Sequence, residues 1–334
     1  MSGLTALTYE ISLQGVEMRM VKWWCLMVWL GLAGWALAGE PEVVLRGKEV
    51  SELAPHGKGN VYAADIVEHD GDLWMYYGGQ GKDGHDRIHL AISRDDQKSW
   101  TREGVVFEAA GVNHVNDPSV VMVKGKFYLF YTRADVGVTD TIGLATSEDG
   151  RKWKDQGTVF AARPAPAWDS WLVGRPSVLH DGKKFRMWFD GRSDLPLGAP
   201  DLKAPKSAKS RRYVGYAESE DGVTWKRQDA YVFDHDAGGV HVCQVKDGYV
   251  MLFESHAGTH AAISADGLTW KYRGLLATKE ARSAPHGHVT PFLLNRGEKM
   301  TLYFGAAPAA NWNENFLMQQ EIGDEVKKVL RDGE

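Results

Sequence analysis

Charged and polar side chains recur along this chain at matching places where a scaffold does not require them. Five apolar stretches, 64–79, 117–132, 175–191, 241–255 and 290–305, each read as two strands around a glycine-containing hairpin. The first strands begin with Asp65, Asp117, Arg175, His241 and Thr290, and His288 stands just before the last. The second strands end with Gly78, Thr132, Asp190, Glu254 and Gly305, and Arg192 follows Asp190 by two residues. Asn116 closes the polar run NHVN that leads into Asp117. Carboxyl groups in different environments can divide acid–base work. One, raised by burial or by a like charge, donates a proton, and the other activates water or attacks. An arginine beside them can hold a substrate hydroxyl or carboxylate, or orient a neighbour. Structural roles compete with these: Asp117 before Pro118 could cap a strand, and Glu254 could pair with Arg175 or Arg192.

The elements that must position these residues are repeated. The segments SRDDQKSW (93–100), SEDGRKW (147–153), SEDGVTW (219–225) and SADGLTW (264–270) each follow a strand pair and a third strand, IHLAIS, IGLATS, YVGYAES or HAAIS. Such a period is the mark of a repeat architecture. Gly71, Gly125, Gly182, Gly248 and Gly297 supply the hairpin turns. The expectation is an all-β protein, a five-bladed β-propeller of four-stranded antiparallel blades over 39–323. PEVVLRG (41–47) would supply a closing outer strand, and a helix-like tail occupies 324–334. The fifth repeat lacks the Ser-Asp-Gly-Trp turn. A Pro-, Gly- and Lys-rich stretch, 194–212, reads as one long loop. The Ser and Asp of each turn tie down its backbone, and each Trp packs between blades. In a propeller the starts of the first strands and the ends of the second share one axial face, which gathers the polar residues named above.

The N-terminus reads differently. Residues 1–38 form an extension and a signal peptide: Arg19 and Lys22 precede an apolar run, and Ala36-Leu37-Ala38 offers a small-x-small cleavage pattern. Met18 or Met20 are alternative starts, and a membrane anchor is the alternative reading of the run. Export to the periplasm or the extracellular space follows. Cleavage would remove Cys25 and leave Cys243 in an apolar run, so no intramolecular disulfide is expected. A net charge of −5 carries no basic footprint for nucleic acid. No His-x-x-x-His or Cys-x-x-Cys spacing points to zinc. GGQGKDG (78–84) lacks the strand-to-helix context of a phosphate loop.

The five repeats, Asn-Asp-Pro (116–118), Arg-Pro-Ser-Val (175–178), FRMWF (185–189) and the Ser-Glu-Asp-Gly turns together resemble the five-bladed propeller glycoside hydrolases of families 43, 32, 62, 68, 117 and 130. The resemblance covers about residues 42–322. It implies an exported hydrolase of plant- or algal-type oligosaccharides, inverting, with a carbohydrate as its partner and no required cofactor. An axial calcium, as in some family 43 enzymes, is the alternative there. Families 43 and 32 place an acidic residue at the start of each of the first three blades. Asp65 and Asp117 match two of these, and Arg175 stands at the third. Glu254 is then the expected acid, with Asp190, His241 and His288 as alternates. Asn116, Arg175, Asp190, Arg192, His241 and His288 would contact substrate. Two other readings accompany this one: a sugar-binding propeller without catalysis, and a family 130-like phosphorylase using Arg175, Arg192, Arg211 and Arg212.

Overall fold

The computed structural model describes residues 38–47, 59–80, 84–135, 138–199, 201 and 203–332. The expected signal peptide up to residue 37, with Cys25 and both alternative starts, lies outside the described residues.

Strand β1 (Ala38–Leu45) precedes a sheet of β2 (Val61–His69), β3 (Asp72–Gln80), β4 (Asp86–Ser93) and β5 (Thr101–Phe107), paired in that order. The second sheet repeats the plan with β6 (His114–Val123), β7 (Lys126–Asp135), β8 (Val138–Ser147) and β9 (Lys154–Phe160). In the third, β10 (Leu172–His180) and β11 (Phe185–Arg192) are separated from their outer partners by the 194–212 insertion. That insertion is not wholly loop. It holds a two-residue parallel pair, β12 (Leu195–Pro196) with β13 (Lys206–Ser207), before β14 (Tyr213–Ser219) and β15 (Lys226–Arg227) complete the sheet.

The remaining strands are β16 (His241–Val245), β17 (Gly248–Ser255), β18 (Gly258–Ser264), β19 (Lys271–Thr278), β20 (His288–Arg296), β21 (Lys299–Ala306) and β22 (Phe316–Glu321). Together with β1 they form one eight-stranded sheet whose two four-strand halves are joined by the single pair Ser255↔His288. The expected closing strand is present: β1 pairs with β22 as the outermost strand of that sheet. The tail is helix α1 (Asp324–Asp332), which buries Val326 and Leu330 against the same sheet's core. The inner strands β2, β6, β10, β16 and β20 each neighbour the next, and β20 neighbours β2, so they close a ring.

Burial follows the layering. The second strands are buried on both faces, as in β3, because a sheet lies against each side. The outermost strands alternate: in β5 the odd residues of Thr101–Val105 face solvent. The repeated turn is built from local bonds. The Ser147 hydroxyl donates to Asp149 at 3.0 Å and accepts the Gly150 N–H at 2.9 Å, while Asp149 caps the N–H groups of Arg151 and Lys152. The Asp221 and Asp266 turns repeat this. Each turn's Trp meets an aromatic of the adjoining sheet: Trp153 with Tyr76, Trp225 with Phe130, Trp270 with Trp188 and Trp100 with Tyr303. These turns are therefore sheet-to-sheet mortar. Cys243 is a free, buried thiol whose pKa burial pushes up to about 12.

Third-strand glycines make room for second-strand rings. Gly215 pairs with Phe189, and a Cβ at Gly215 would overlap the Phe189 ring. Gly215→Ala should therefore lower stability by about 1–3 kcal/mol through overpacking, read as a reduced denaturation midpoint with an unchanged m-value.

Candidate active site

Hairpin register breaks once in the inner strands, between Tyr62 and Asp65, Asn116 and Ser119, Gly174 and Ser177, and Val289 and Phe292. Each break is a bulge holding a left-handed residue: Ala63 (φ 53°), Asp117 (48°), Arg175 (48°) and Thr290 (42°). Gly239 (φ 56°) holds the corresponding place just before β16. Residues other than glycine seldom adopt this conformation, and bulges re-aim side chains. Here all five bulge residues line one axial slot of about 30 Å³, together with Asp65 and His241. That volume admits a water, a hydroxyl or an ether oxygen, but no sugar ring.

Two of the sequence positions thus move. Asp65 and His241 sit two residues past the bulge, level with Ser119, Ser177 and Phe292. The matching bulge places hold Ala63 and Gly239. The reason is hairpin register: counted back from the last paired residues His69, Val123, Val245 and Arg296, the equivalents of Asp117 and Thr290 are Ala63 and Gly239.

Two tiers of hydrogen bonds tie neighbouring sheets at this face. In the upper tier, a side chain near the end of a second strand accepts the N–H of the next sheet's bulge residue. Thr132 Oγ1 accepts from Arg175 at 2.7 Å, Asp190 Oδ2 from Gly239 at 3.3 Å and Glu254 Oε2 from Thr290 at 2.9 Å. In the lower tier Asp65 accepts from the Val120 backbone and the Ser119 hydroxyl. Ser119 Oγ accepts from the Val178 N–H at 3.0 Å, and Ser177 Oγ from the Val242 N–H at 2.7 Å.

The charges divide around these ties. Arg175 Nε donates to both oxygens of Asp190, at 2.8 and 2.7 Å, and its Nη1 lies 3.6 Å from Asp140. Arg212, delivered by the end of the insertion, donates from Nη1 to Glu254 Oε1 and lies against the Gly238 backbone. Asp117 is 6% exposed. Burial pushes its carboxyl up to about 7, against the pull of Arg175 and the Thr132 hydroxyl and with the help of Glu254 and Asp190. Burial also raises Asp65 to about 7 and Asp140 above the usual carboxylate range, and lowers His241 to about 4.

A second cavity of about 380 Å³ is lined by Arg192, Arg212, Phe253, Glu254, Tyr272 and Trp312, among others. Glu254 stands between the two spaces, since Thr290, which donates to it, lines the slot. Asn116 lies beside the slot: its Nδ2 donates to Tyr62 Oη at 2.8 Å, and Tyr62 in turn donates to Asp86 at 2.8 Å. His114 is 3.6 Å from Asp86 and 3.1 Å from His85. His288 is in neither cavity. It is fully buried, with Nδ1 2.9 Å from Thr259 Oγ1, Nε2 3.4 Å from Glu280, and its ring stacked 3.8 Å from Phe304.

Calcium takes six to eight oxygen ligands. Among the described residues no three His, Cys, Asp or Glu side chains are grouped to hold a metal, and the guanidinium of Arg175 faces the slot's carboxyls. The slot does not fit a calcium ion, and no step below passes through one.

Residues 42–168 match the model of the "Glycosyl hydrolases family 32 N-terminal domain". "Uncharacterized protein MT1551" of Mycobacterium tuberculosis (strain CDC 1551 / Oshkosh) is 31% identical over 231 residues, covering 61% of this chain and 73% of the relative. A solved structure described as "Glycoside hydrolase" superposes with a TM-score of 0.67 at 16% identity, over 85% of this chain and 91% of the other. Zg3597, a family 117 glycoside hydrolase produced by the marine bacterium Zobellia galactanivorans, gives 0.63 at 14% identity, over 84% and 89%. The chain belongs to the mycobacterial protein's family. The two solved structures share its fold, and the family 32 match covers the first part of the chain, residues 42–168.

Sequence reading of this glycoside hydrolase fold missed Tyr62, Asp140 and the placing of Arg212 on Glu254. The one available signal was the basic end of the 194–212 insertion.

Asp65 gives a stability prediction. Its folded pKa of about 7 exceeds the unfolded value of about 3.9. The folded state therefore keeps an extra proton between these limits, and stability falls as pH rises from about 4 to about 7. Asp65→Asn keeps an acceptor for Val120 and cannot ionise. Its melting temperature relative to wild type should rise between pH 5 and pH 8, measured by thermal melts across that range.

Proposed function

We propose that the protein is an exported glycoside hydrolase that cleaves plant- or algal-type oligosaccharides with inversion, at the axis of a five-bladed ring. The blade count takes the eight-stranded sheet as two blades, because one residue pair joins its halves. Export rests on the composition of residues 21–38, and the substrate class on the resemblance drawn from the repeats. The observation that carries the catalytic reading is Asp117, a buried carboxyl raised to about 7 in a slot sized for a single oxygen.

On this reading the expected roles shift. Glu254 has both oxygens engaged by donors, Arg212 and the Thr290 N–H, so it acts as the proton acceptor. Asp117 carries the proton. The sugar ring occupies the larger cavity, and its glycosidic oxygen enters the slot. The C–O bond breaks as that oxygen takes the Asp117 proton. A water oxygen bonds to the anomeric carbon and passes its proton to Glu254. Arg175, pinned by Asp190 and Asp140, faces Asp117 as a fixed positive charge and favours the carboxylate left after proton transfer. Asp65 belongs to the lower tier of ties and serves the scaffold.

Asp117→Asn should lower kcat by about 10²–10⁴-fold on a natural glycan and much less on an aryl glycoside whose leaving group needs no proton. Glu254→Gln should be slow on both. In wild type, kcat/KM should fall as pH rises through about 7, because Asp117 loses its proton there. NMR of the first-formed anomer tests inversion. Equal turnover by wild type and Asp117→Asn would overturn the assignment. Arg175 in place of a third acid favours a second reading, glycan binding without cleavage, and that reading predicts binding with no release by either protein. Release that requires phosphate would make the protein a phosphorylase.

A further inference from the structure

The cations of this site are not equally occupied. Arg175 is engaged by Asp190 and Asp140. Arg212 is engaged by Glu254 and by Asp236, through a side-chain oxygen at 3.8 Å and the carbonyl at 3.4 Å. Arg211 pairs with Asp234 at 2.9 Å. Arg192 alone of the four has no ion pair or side-chain hydrogen bond among the described residues, and its Nε is buried without a partner. Leaving a buried cationic donor unsatisfied is costly, so the arrangement is incomplete as it stands.

Arg192 lines the larger cavity, and its place on β11 says where its ligand would lie. Asp190 and Arg192 are two residues apart on one strand, so their side chains leave the same face of the sheet, roughly 7 Å apart. Asp190 holds Arg175 at the slot, and Arg192 therefore reaches one step outward from the proposed point of cleavage. The surrounding walls combine aromatic side chains with Asp236 and Glu254, both of which Arg212 engages. Trp312 has its Nε1 bound to the His286 carbonyl at 3.1 Å and its ring 4.7 Å from that of His256. Tyr272 stacks on His235 at 4.4 Å, and Phe253 lies beneath on the same lining. About 380 Å³ with aromatic walls suits a sugar ring rather than a bare inorganic ion.

We infer that Arg192 reads a carboxylate carried on a sugar ring in this cavity, so that the substrate is an acidic, uronate-containing oligosaccharide. A guanidinium matches a carboxylate through two parallel N–H···O bonds. Arg212 cannot take that role, because its guanidinium is committed to Glu254 and Asp236. The inference rests on the sugar-binding reading of the cavity and adds the charge of the sugar to it.

The test is calorimetry in the Asp117→Asn background, where binding is measured without turnover. The probes are oligogalacturonates and oligoglucuronates, their methyl esters, and inorganic phosphate as a separate arm, titrated into the full chain with Arg192, Arg192→Lys and Arg192→Ala. One acid should bind at least tenfold tighter than its ester. Arg192→Ala should erase that difference without lowering the melting temperature, and Arg192→Lys should keep part of it. Equal binding of acid and ester, binding unaffected by Arg192→Ala, no binding of any sugar probe, or Arg192-dependent binding of phosphate alone would each overturn the inference. Asp117-dependent hydrolysis of a neutral glycan, alongside any of these, would leave the glycosidase reading standing.

Discussion

The site depends on a backbone problem at the ring's inner edge. A left-handed bulge turns a side chain toward the axis but takes that residue's N–H out of the hairpin ladder, and a buried N–H needs an acceptor. The neighbouring sheet supplies it. Thr132, Asp190 and Glu254 each accept the N–H of the bulge residue that follows in the ring. The same side chains therefore hold adjacent sheets in register and set the angle at which the axial residues project. Left-handed residues other than glycine cost about 1–3 kcal/mol each, a strain tolerated where the surroundings over-determine it.

This double duty changes how the carboxylates should be understood. Asp190 and Glu254 look like free acids on the axial face, yet each spends one oxygen on scaffolding and meets an arginine. Asp65 does similar work a tier below. Asp117 is placed differently. The clamp position before it is Gly78, which has no side chain, and the Tyr62 ring lies within 3.4 Å of where a Cβ would be. Tyr62 is fixed instead by Asp86 and Asn116. The carboxyl of Asp117 is thus left with the Thr132 hydroxyl and the field of Arg175 as the forces opposing its burial. A carboxyl so placed can carry a proton near neutrality, while one bound to a guanidinium and an N–H serves as an acceptor.

Much of this was readable from residue order, and the failures have physical causes. Thr132, Asp190 and Glu254 were recognised as equivalent positions of the second strands, because hairpin glycines and alternation fix that register, although the strands run on to Asp135, Arg192 and Ser255. The starts of the first strands were misaligned at Asp65 and His241. Ala63 and Gly239 carry no charge to mark the true positions, and the next polar residue along each strand stood in for them. His288 was expected to contact substrate, but it pairs with Ser255 where two sheets fuse and is enclosed there. Arg212 was hidden at the end of an insertion whose composition announces only a loop. Asp140 sits at the start of a third strand, which the axial argument did not consider.

Arg175 occupies the place where the related families carry a third acid, and the structure gives that departure a physical logic. A third buried carboxyl beside Asp117, Asp140 and Asp190 would add a like charge to a site already short of countercharge, and would raise every pKa in it. An arginine there does the reverse. It makes a close ion pair with Asp190, reaches Asp140 at 3.6 Å and draws Asp117 downward. Without it, burial would act on Asp117 with less opposition and hold its proton more tightly. With it, Asp117 is brought to about 7, where proton loss to the leaving oxygen and recovery from water are nearly balanced. On the proposed catalytic reading Arg175 tunes Asp117, so a site with an arginine in place of a carboxylate here is compatible with an acid–base pair elsewhere on the ring.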